Sequence, residues 1–520
     1  MKLAYLTILL LVTAAPLSAQ QAAAEADCES ASPTASVWKY QGLSSCASSG
    51  CHGGGQIIRG AQFASYVHWW QNDHAHRDAW RTLQSDLSKS IVERLHHGQS
   101  GEVLPAERDL RCLACHSTGV DLSTDLSELL TEDRGSAAAP AAPFSVTQSR
   151  IRLEDGVQCE ACHGAAEGWL AKHSRPEWKD LTASQKLQTA GFVSLENLLE
   201  RARVCSECHI GGVGRDMNHD MIAAGHPRLD FELATFHSRL PVHWDQQRDQ
   251  LRIAGRLENE SRDSQAARFE TRVWVAGQLQ SARQTLKLLE YRASADHGVW
   301  PEFAEYDCYA CHHTLAGPAW RQQRGSAGSL LWSDWNTSLS PLAAELIPGA
   351  SAGLQTQLQD LRTVMQQSYP ERGQAARIAV ELQTRLCEIM SEFDFEAPVP
   401  AASTKASDSD AAILLRRLLD ETDQIGSRGW DNAAQTYLAL VALRRYVPAV
   451  TDQRISVTEF DEWLRKLRQT LLFQTADSER GWKLQSPDLW RSAEGGVSDQ
   501  AMHPDLRIWD ELRRELSGDE

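Results

Sequence analysis

The chain has 520 residues, enough for two or three domains with cores of their own. Acidic residues outnumber basic ones by 69 to 52, a net charge of −17. That excess repels phosphate backbones and excludes nucleic acid as an expected partner, while leaving room for a basic redox protein.

The first residues, "MKLAYLTILLLVTAAPLSAQ", read as a secretory signal peptide. Lys2 supplies the positive start, residues 3–15 an apolar stretch too short to span a bilayer comfortably, and residues 17–19 a small-residue cleavage site. Cleavage after Ala19 removes Lys2 and takes the net charge from −17 to −18. The competing reading is an uncleaved anchor. Asp27 stands where a lipoprotein would need a small residue, so Cys28 is not a lipid-attachment site. No later stretch has the length and apolarity of a transmembrane span, and the expected product is an exported, periplasmic, soluble protein. Residues 20–37 form a small-residue leader expected to be flexible.

Twelve cysteines follow, ten of them in five motifs. The sets are Cys46/Cys51/His52, Cys112/Cys115/His116, Cys159/Cys162/His163, Cys205/Cys208/His209 and Cys308/Cys311/His312. Two thiols can add to the two vinyl groups on one edge of a haem, and the imidazole that follows reaches the iron from the same side. Zinc needs four ligands per ion and does not require a histidine directly after every cysteine pair. With only 18 histidines in 520 residues, five such placements are not incidental. The first motif, "CASSGCH", has four residues between its cysteines where the others have two. Residues 47–50 are small or flexible and can bulge, so the reading is a fifth haem; the alternative is a Cys46–Cys51 disulfide. Gly53, Gly54 and Gly55 lack the Lys-Ser/Thr ending of a phosphate loop and are expected to let the backbone pass a haem edge.

Each iron has a second axial position. Methionine is scarce, although Met217 and Met221 flank His219, and histidine is the expected ligand, which gives lower potentials than thioether ligation. Four histidines stand out. His76 leads an expected helix within 62–95, with His74 as its competitor. His173 follows its motif closely, with Trp169 and Leu170 able to cover a porphyrin face. His219 and His226 are seven residues apart, the second in a turn set by Gly225 and Pro227. The fifth ligand is open among His68, His96, His97, His237, His243, His297 and His313, or one iron lacks a protein ligand on its far side.

The fold class expected is mainly α: a haem-cored cytochrome domain over 38–324 with little β structure, then a C-terminal helical bundle over 325–520. Residues 135–144 read as an exposed loop. Residues 264–295 form a helix candidate of about thirty residues. Five amphipathic stretches beyond 350 read as helices, interrupted by a Pro/Ala/Ser linker near 397–410. Cys28 and Cys387 are either a disulfide tying leader to bundle or two free thiols.

These motifs resemble the cytochrome c-554-like multihaem cytochromes. The matching pieces are "CHGGG…W…HAHRDAW", "RCLACHSTG", "GVQCEACHG…W…H", "CSECH…DMNHDMIAAGHPRL" and "WPEFAEYDCYACHH", spanning about 38–320. The resemblance implies covalently bound, mostly bis-histidine haems in a chain that relays electrons between periplasmic redox partners. The family's tetrahaem members have one motif fewer and no long C-terminal half, so pathway and partner do not carry over. No Cys-x-x-Cys-Lys motif is present, which removes the lysine-ligated haem of ammonia-forming nitrite reductases. The expectation is an electron-transfer protein with five haem c groups, its C-terminal helices docking a partner or assembly. The competing class is an oxidoreductase whose one five-coordinate haem acts on hydroxylamine, nitric oxide or nitrite.

Overall fold

The computed structural model describes residues 38–48, 50–53, 69, 72–97, 103–120, 151–254, 262–294, 298–308, 330–346, 349–392, 410–420, 430–471, 511–512 and 514. The leader with Cys28, the 135–144 loop, most of the 397–410 linker, and Cys311, His312, His68, His297 and His313 lie outside them. The fold is mainly helical: among the described residues no strand forms, and only two isolated bridges occur, Gly212 with Arg215 and Tyr306 with Trp332. Among them too, no helix is long and apolar enough to cross a membrane.

Within the haem-motif half, helices are short and capped by their own sequence. The single helix expected over 62–95 is broken. His74–Arg77 and Ala79–Thr82 are one-turn pieces, followed by α1 (Asp86–Leu95). The reason is local: the Asp73 carboxylate caps the first piece by accepting from the His76 amide, and the Ser85 hydroxyl caps α1 by accepting from Ser88. Helix α2 (Leu198–His209) starts where Asn197 accepts from the amides of Leu199 and Glu200, and ends on the fourth motif. Helix α3 (His219–Ala224) is capped by Asn218 and stopped by Gly225 at φ +117°, a conformation glycine adopts without a Cβ clash. His226 therefore lies in a turn, as its neighbours predict.

Helix α4 (Gln246–Ala254) leads to α5 (Arg262–Ala293), the organising element. Trp274, Leu279, Leu286 and Leu289 are fully buried, and Thr271, Arg272, Gln278, Arg283 and Gln284 elsewhere on its circumference are buried as well. A helix buried on every side is surrounded by packed elements, and its polar groups need partners there. Arg272 donates to the Ile253 carbonyl (2.7 Å), Gln284 to the Gly211 carbonyl (2.6 Å), and Gln278 to Gln435 (3.3 Å). Gly277 permits a close crossing, because a Cβ there would stand 2.6 Å from the Leu233 Cβ.

Beyond it come α6 (Ala350–Met365), α7 (Arg372–Glu392), α8 (Asp410–Asp420), α9 (Trp430–Leu443) and α10 (Val457–Thr470). Helix α5 packs along α7 on one side and against α2, α4 and α9 on others. One apolar core results, drawing Leu198 and Phe231 together with Trp274, Leu354, Leu382, Leu438 and Phe460. Residues on both sides of position 324 thus share this core. The first motifs sit apart on two small clusters, one around Leu83, Leu113 and Leu153 and one around Trp169 and Trp178. Cys387 is disulfide-bonded, and its partner lies outside the described residues.

Candidate haem sites

The three tight motifs among the described residues fold as helix ends. The second occupies Leu110–His116, begun by Asp109 accepting from the Arg111 amide; the third is Cys159–His163; the fourth closes α2. In a helix the amide of residue i bonds the carbonyl of residue i−4, and in Cys-x-x-Cys-His that joins the histidine to the first cysteine. Thiols and imidazole are then fixed relative to one another. The expanded motif reaches the same closure differently. Leu43–Cys46 is a single helical turn, the Cys51 and Gly53 amides fold back onto the Ser48 carbonyl (2.9 Å each), and the His52 amide donates to the Cys46 carbonyl at 3.2 Å. The two extra residues bulge while the bond from histidine to first cysteine is kept. Gly53 was expected to clear a haem edge, but the space it vacates belongs to its own loop: a Cβ would stand 1.8 Å from the Ala47 carbonyl oxygen.

The imidazoles come in twos. His52 faces His173 with ring centres 6.1 Å apart and planes 17° from parallel. His209 faces His76 at 6.1 Å and 75°, and His116 faces His226 at 6.4 Å and 83°. Each pair joins one motif histidine to one histidine from elsewhere in the chain. An iron with an imidazole nitrogen ~2 Å away on either side separates the ring centres by ~6 Å, so these residues fit the group. Their outer nitrogens are also held. Nδ1 of His116, His173 and His226 lies 2.8 Å from the carbonyl oxygens of Ala79, Leu170 and Pro227, and Nδ1 of His76 lies 2.8 Å from Asp73 Oδ2. Such bonds leave Nε2 directed at a metal and fix the ring's orientation.

Charge states agree with ligation, which needs neutral imidazole. Burial, then the nearby His76, pushes His209 down to about 4; burial, then His243, pushes His163 down to about 4. Burial also lowers His116 and His226. His76 differs: burial, the largest single influence, works against its charged form, but the hydrogen bond and charge of Asp73 with the nearby Cys208 together raise the pKa. Burial likewise opposes the Asp73 carboxylate, which His76 nonetheless holds below the usual range. Asp73 also accepts from the Trp69 indole at 3.1 Å.

The remaining histidines separate by their partners. His74 is exposed with Nδ1 against Arg77 (2.6 Å), whereas His76 faces His209. His237 Nε2 meets Arg201 at 2.8 Å, and His96 Nε2 meets Arg111 at 3.3 Å; a guanidinium has no acceptor, so each of these nitrogens is accepting and turned away from a metal. His243 has the ligand-like arrangement, with Nδ1 3.2 Å from the Pro241 carbonyl. His163 has Nδ1 at 3.4 Å from the Val193 carbonyl, and its ring stacks on Phe192 at 5.6 Å and 12°. His219 packs on the segment that leads toward the fifth motif: its ring is edge-on to Phe303 at 5.8 Å and its amide donates to Glu302 at 2.7 Å. Met221 is buried behind it in α3.

Motifs distant in sequence meet in space. Cys46 lies beside Cys159 and Cys115 beside Cys208. The first and third sites are bound together by a residue the sequence did not single out. Glu160, inside "CEACH" and 1% exposed, accepts from the amides of Gln41 (2.9 Å), Gly42 (2.7 Å) and Ala166 (2.7 Å). Asp73 was likewise missed. Asn, Asp and Glu beside a motif read as surface until the fold brings donors to them.

Five cysteine-pair-and-histidine motifs in the sequence, with a helical framework that among the described residues brings three of their imidazoles into opposed pairs, define a c-type cytochrome. The comparison with families agrees: residues 45–164 match the family described as cytochrome c554 and c-prime. That match begins at the residue before Cys46 and ends at the residue after His163, so the expanded motif lies within it and the c-554-like resemblance is borne out there. No curated protein and no solved structure matches the chain.

Proposed function

We propose that this chain is an exported electron-transfer cytochrome carrying five covalently attached haems, all bis-histidine, which passes electrons one at a time between redox partner proteins. Haem c, when bound, supplies an iron that alternates between ferric and ferrous states. The chain's own residues do the rest. The ten motif cysteines anchor the groups through thioethers; His52, His116, His163, His209 and His312 are the proximal ligands. On the far sides we assign His173 opposite His52, His226 opposite His116, His76 opposite His209, His243 opposite His163, and His219 to the fifth motif. The observation that carries this reading is the set of three opposed pairs at 6.1, 6.1 and 6.4 Å, each holding one motif histidine. Filled coordination suits a relay, because it leaves no position for a substrate. Asp73 and the backbone carbonyls hold the rings, so little reorganisation accompanies each electron. The signal-like first twenty residues support export.

One observation favours a second reading. His163 has Phe192 rather than an imidazole as its stacked neighbour, so among the described sites the third is the candidate for an open iron. That site would make the protein an oxidoreductase acting on a small nitrogen compound. Intact-mass measurement of the protein secreted from a haem-maturing host tests the count: five haems added to a chain starting after Ala19 are expected. Four, or an uncleaved start, would overturn the corresponding part. Adding nitric oxide to the oxidised protein separates relay from enzyme, because a prompt iron-nitrosyl spectrum, as distinct from simple reduction, requires an open iron.

A further inference from the structure

Of the described histidines whose Nδ1 lies 2.8 Å from an oxygen, His116, His173 and His226 face a neutral backbone carbonyl and His76 faces a carboxylate. That carboxylate, Asp73, is 4% exposed and is gripped at both oxygens. Its Oδ2 accepts from His76 Nδ1 at 2.8 Å and from the Trp69 indole at 3.1 Å, and its Oδ1 accepts from the His76 amide at 3.2 Å. Three N–H donors on one carboxylate favour its ionised form. Among the described residues no lysine or arginine bonds to Asp73, so its charge is answered chiefly by the ring it holds. That ring faces His209, the end of α2, at 6.1 Å and 75°. Trp69, Asp73, His76, Cys205, Cys208 and His209 are all among the described residues, so the site is complete on both sides of the space its group would fill.

From this arrangement we propose that Asp73 is the positioning residue that sets the potential of the fourth haem, holding it lower than a carbonyl partner would. The proposal rests on the assignment of His76 and His209 to one iron. With Nε2 directed at the metal, Nδ1 carries the proton and donates it to Asp73 Oδ2. A carboxylate draws on that proton more strongly than a neutral carbonyl does, which makes the imidazole a better electron donor. An electron-rich ligand favours the ferric state. So does the buried negative charge, because the ferric centre carries one more positive charge than the ferrous, and charge in a buried place is weakly screened. Both effects act in one direction. Trp69 moderates them, since its indole shares Oδ2 with His76 and takes up part of the carboxylate's accepting capacity. Cys115 lies beside Cys208, so the second site adjoins the fourth, and there His116 and His226 both rest on carbonyls. Asp73 therefore biases these neighbouring sites toward passing the electron from the fourth to the second.

The test is a redox titration of the full-length holoprotein followed by electron paramagnetic resonance, wild type against Asp73→Asn and Trp69→Phe. The assignment it rests on is checked first. His76→Ala is expected to turn one low-spin iron high-spin, and the peptide carrying Cys205 and Cys208 is expected to bear haem by mass. Failure of either sinks the assignment by itself, and the proposal with it, before any potential is compared. Asparagine still caps the first turn and still accepts from Nδ1, so Asp73→Asn removes the charge and spares the fold. In that variant one strongly anisotropic low-spin component, the kind expected of rings 75° apart, should rise in potential while the others hold. In Trp69→Phe the same component should fall, because Oδ2 is then left to His76. An unmoved or falling component in Asp73→Asn, or a rise confined to the signal of the nearly parallel His52 and His173, would overturn the proposal and leave Asp73 a helix cap. Should Asp73→Asn not accumulate with haem, Trp69→Phe decides: a fall supports the role given to Asp73, and an unchanged or raised potential refutes it.

Discussion

The two halves of the molecule are built on different accounts of what fills the interior. From Leu198 onward, one apolar core runs through α2, α5, α6, α7, α8, α9 and α10. Before it, the first three motifs rest on two small clusters, and the space between elements is bordered by imidazoles, thiols and a few aromatic rings. Helices in the first region are one to three turns long and depend on side-chain caps; α5 alone runs for 32 residues. The difference teaches that the first region's core is completed by its prosthetic groups, whereas the second stands on side-chain packing.

The strongest way to break that comparison is to withhold haem. In a host lacking the attachment machinery, the chain up to α2 is expected to lose its protection against limited proteolysis while α5 to α7 stay resistant. Equal digestion of both, followed by mass spectrometry of the fragments, would refute the division. Next in size, Leu286→Ala hollows the centre of α5, where the side chain is fully buried, and should cost about 2–5 kcal/mol by chemical denaturation with haem content unchanged. A loss of haem instead would mean the halves fold as one unit. Smaller, but directed at the other region, Glu160→Ala strands the amides of Gln41, Gly42 and Ala166. Each unsatisfied buried group costs roughly 1–3 kcal/mol, and the thermal transition should fall with the first site loosening before the helical core.

The mildest expected effect is one of pH. Burial first, then the charge of Arg201, pushes His237 down to about 4, below the ~6.5 of an unfolded chain. Between those values the unfolded state binds a proton that the folded state refuses. Stability is therefore level above ~6.5 and falls as pH drops toward about 4. Unfolding titrations of His237→Gln should show a shallower decline across that window; an unchanged slope would assign the decline elsewhere.

The same contrast decides what the sequence made legible. The motif cysteines and proximal histidines are covalent chemistry at fixed short spacing, so they could be read without a fold. The helix over 264–295 was legible from its period and appears as Arg262–Ala293, but its burial on all sides was not, since arginines and glutamines on its surface look solvated. The imidazole pairing was partly legible: His76, His173 and His226 stood out by context, yet which motif histidine each faces depends on contacts across more than a hundred residues. His243 could not be ranked, because the mark that separates it from His96 and His237 is a backbone carbonyl at Nδ1 in place of an arginine at Nε2. The broken helix at 74–95 was foretold by Asp73 and Ser85, whose capping character the apolar period concealed.

The central claim, five irons each held between two histidines, is tested most directly by an electron paramagnetic resonance spectrum of the oxidised protein with covalent haem counted on the same sample. The account predicts five haems, all low-spin. It also predicts two kinds of low-spin signal: one of ordinary anisotropy from the nearly parallel rings of His52 and His173, and strongly anisotropic ones from the nearly perpendicular pairs His76/His209 and His116/His226. A high-spin ferric component, or a count of four with Cys46 and Cys51 joined as a disulfide, would contradict it.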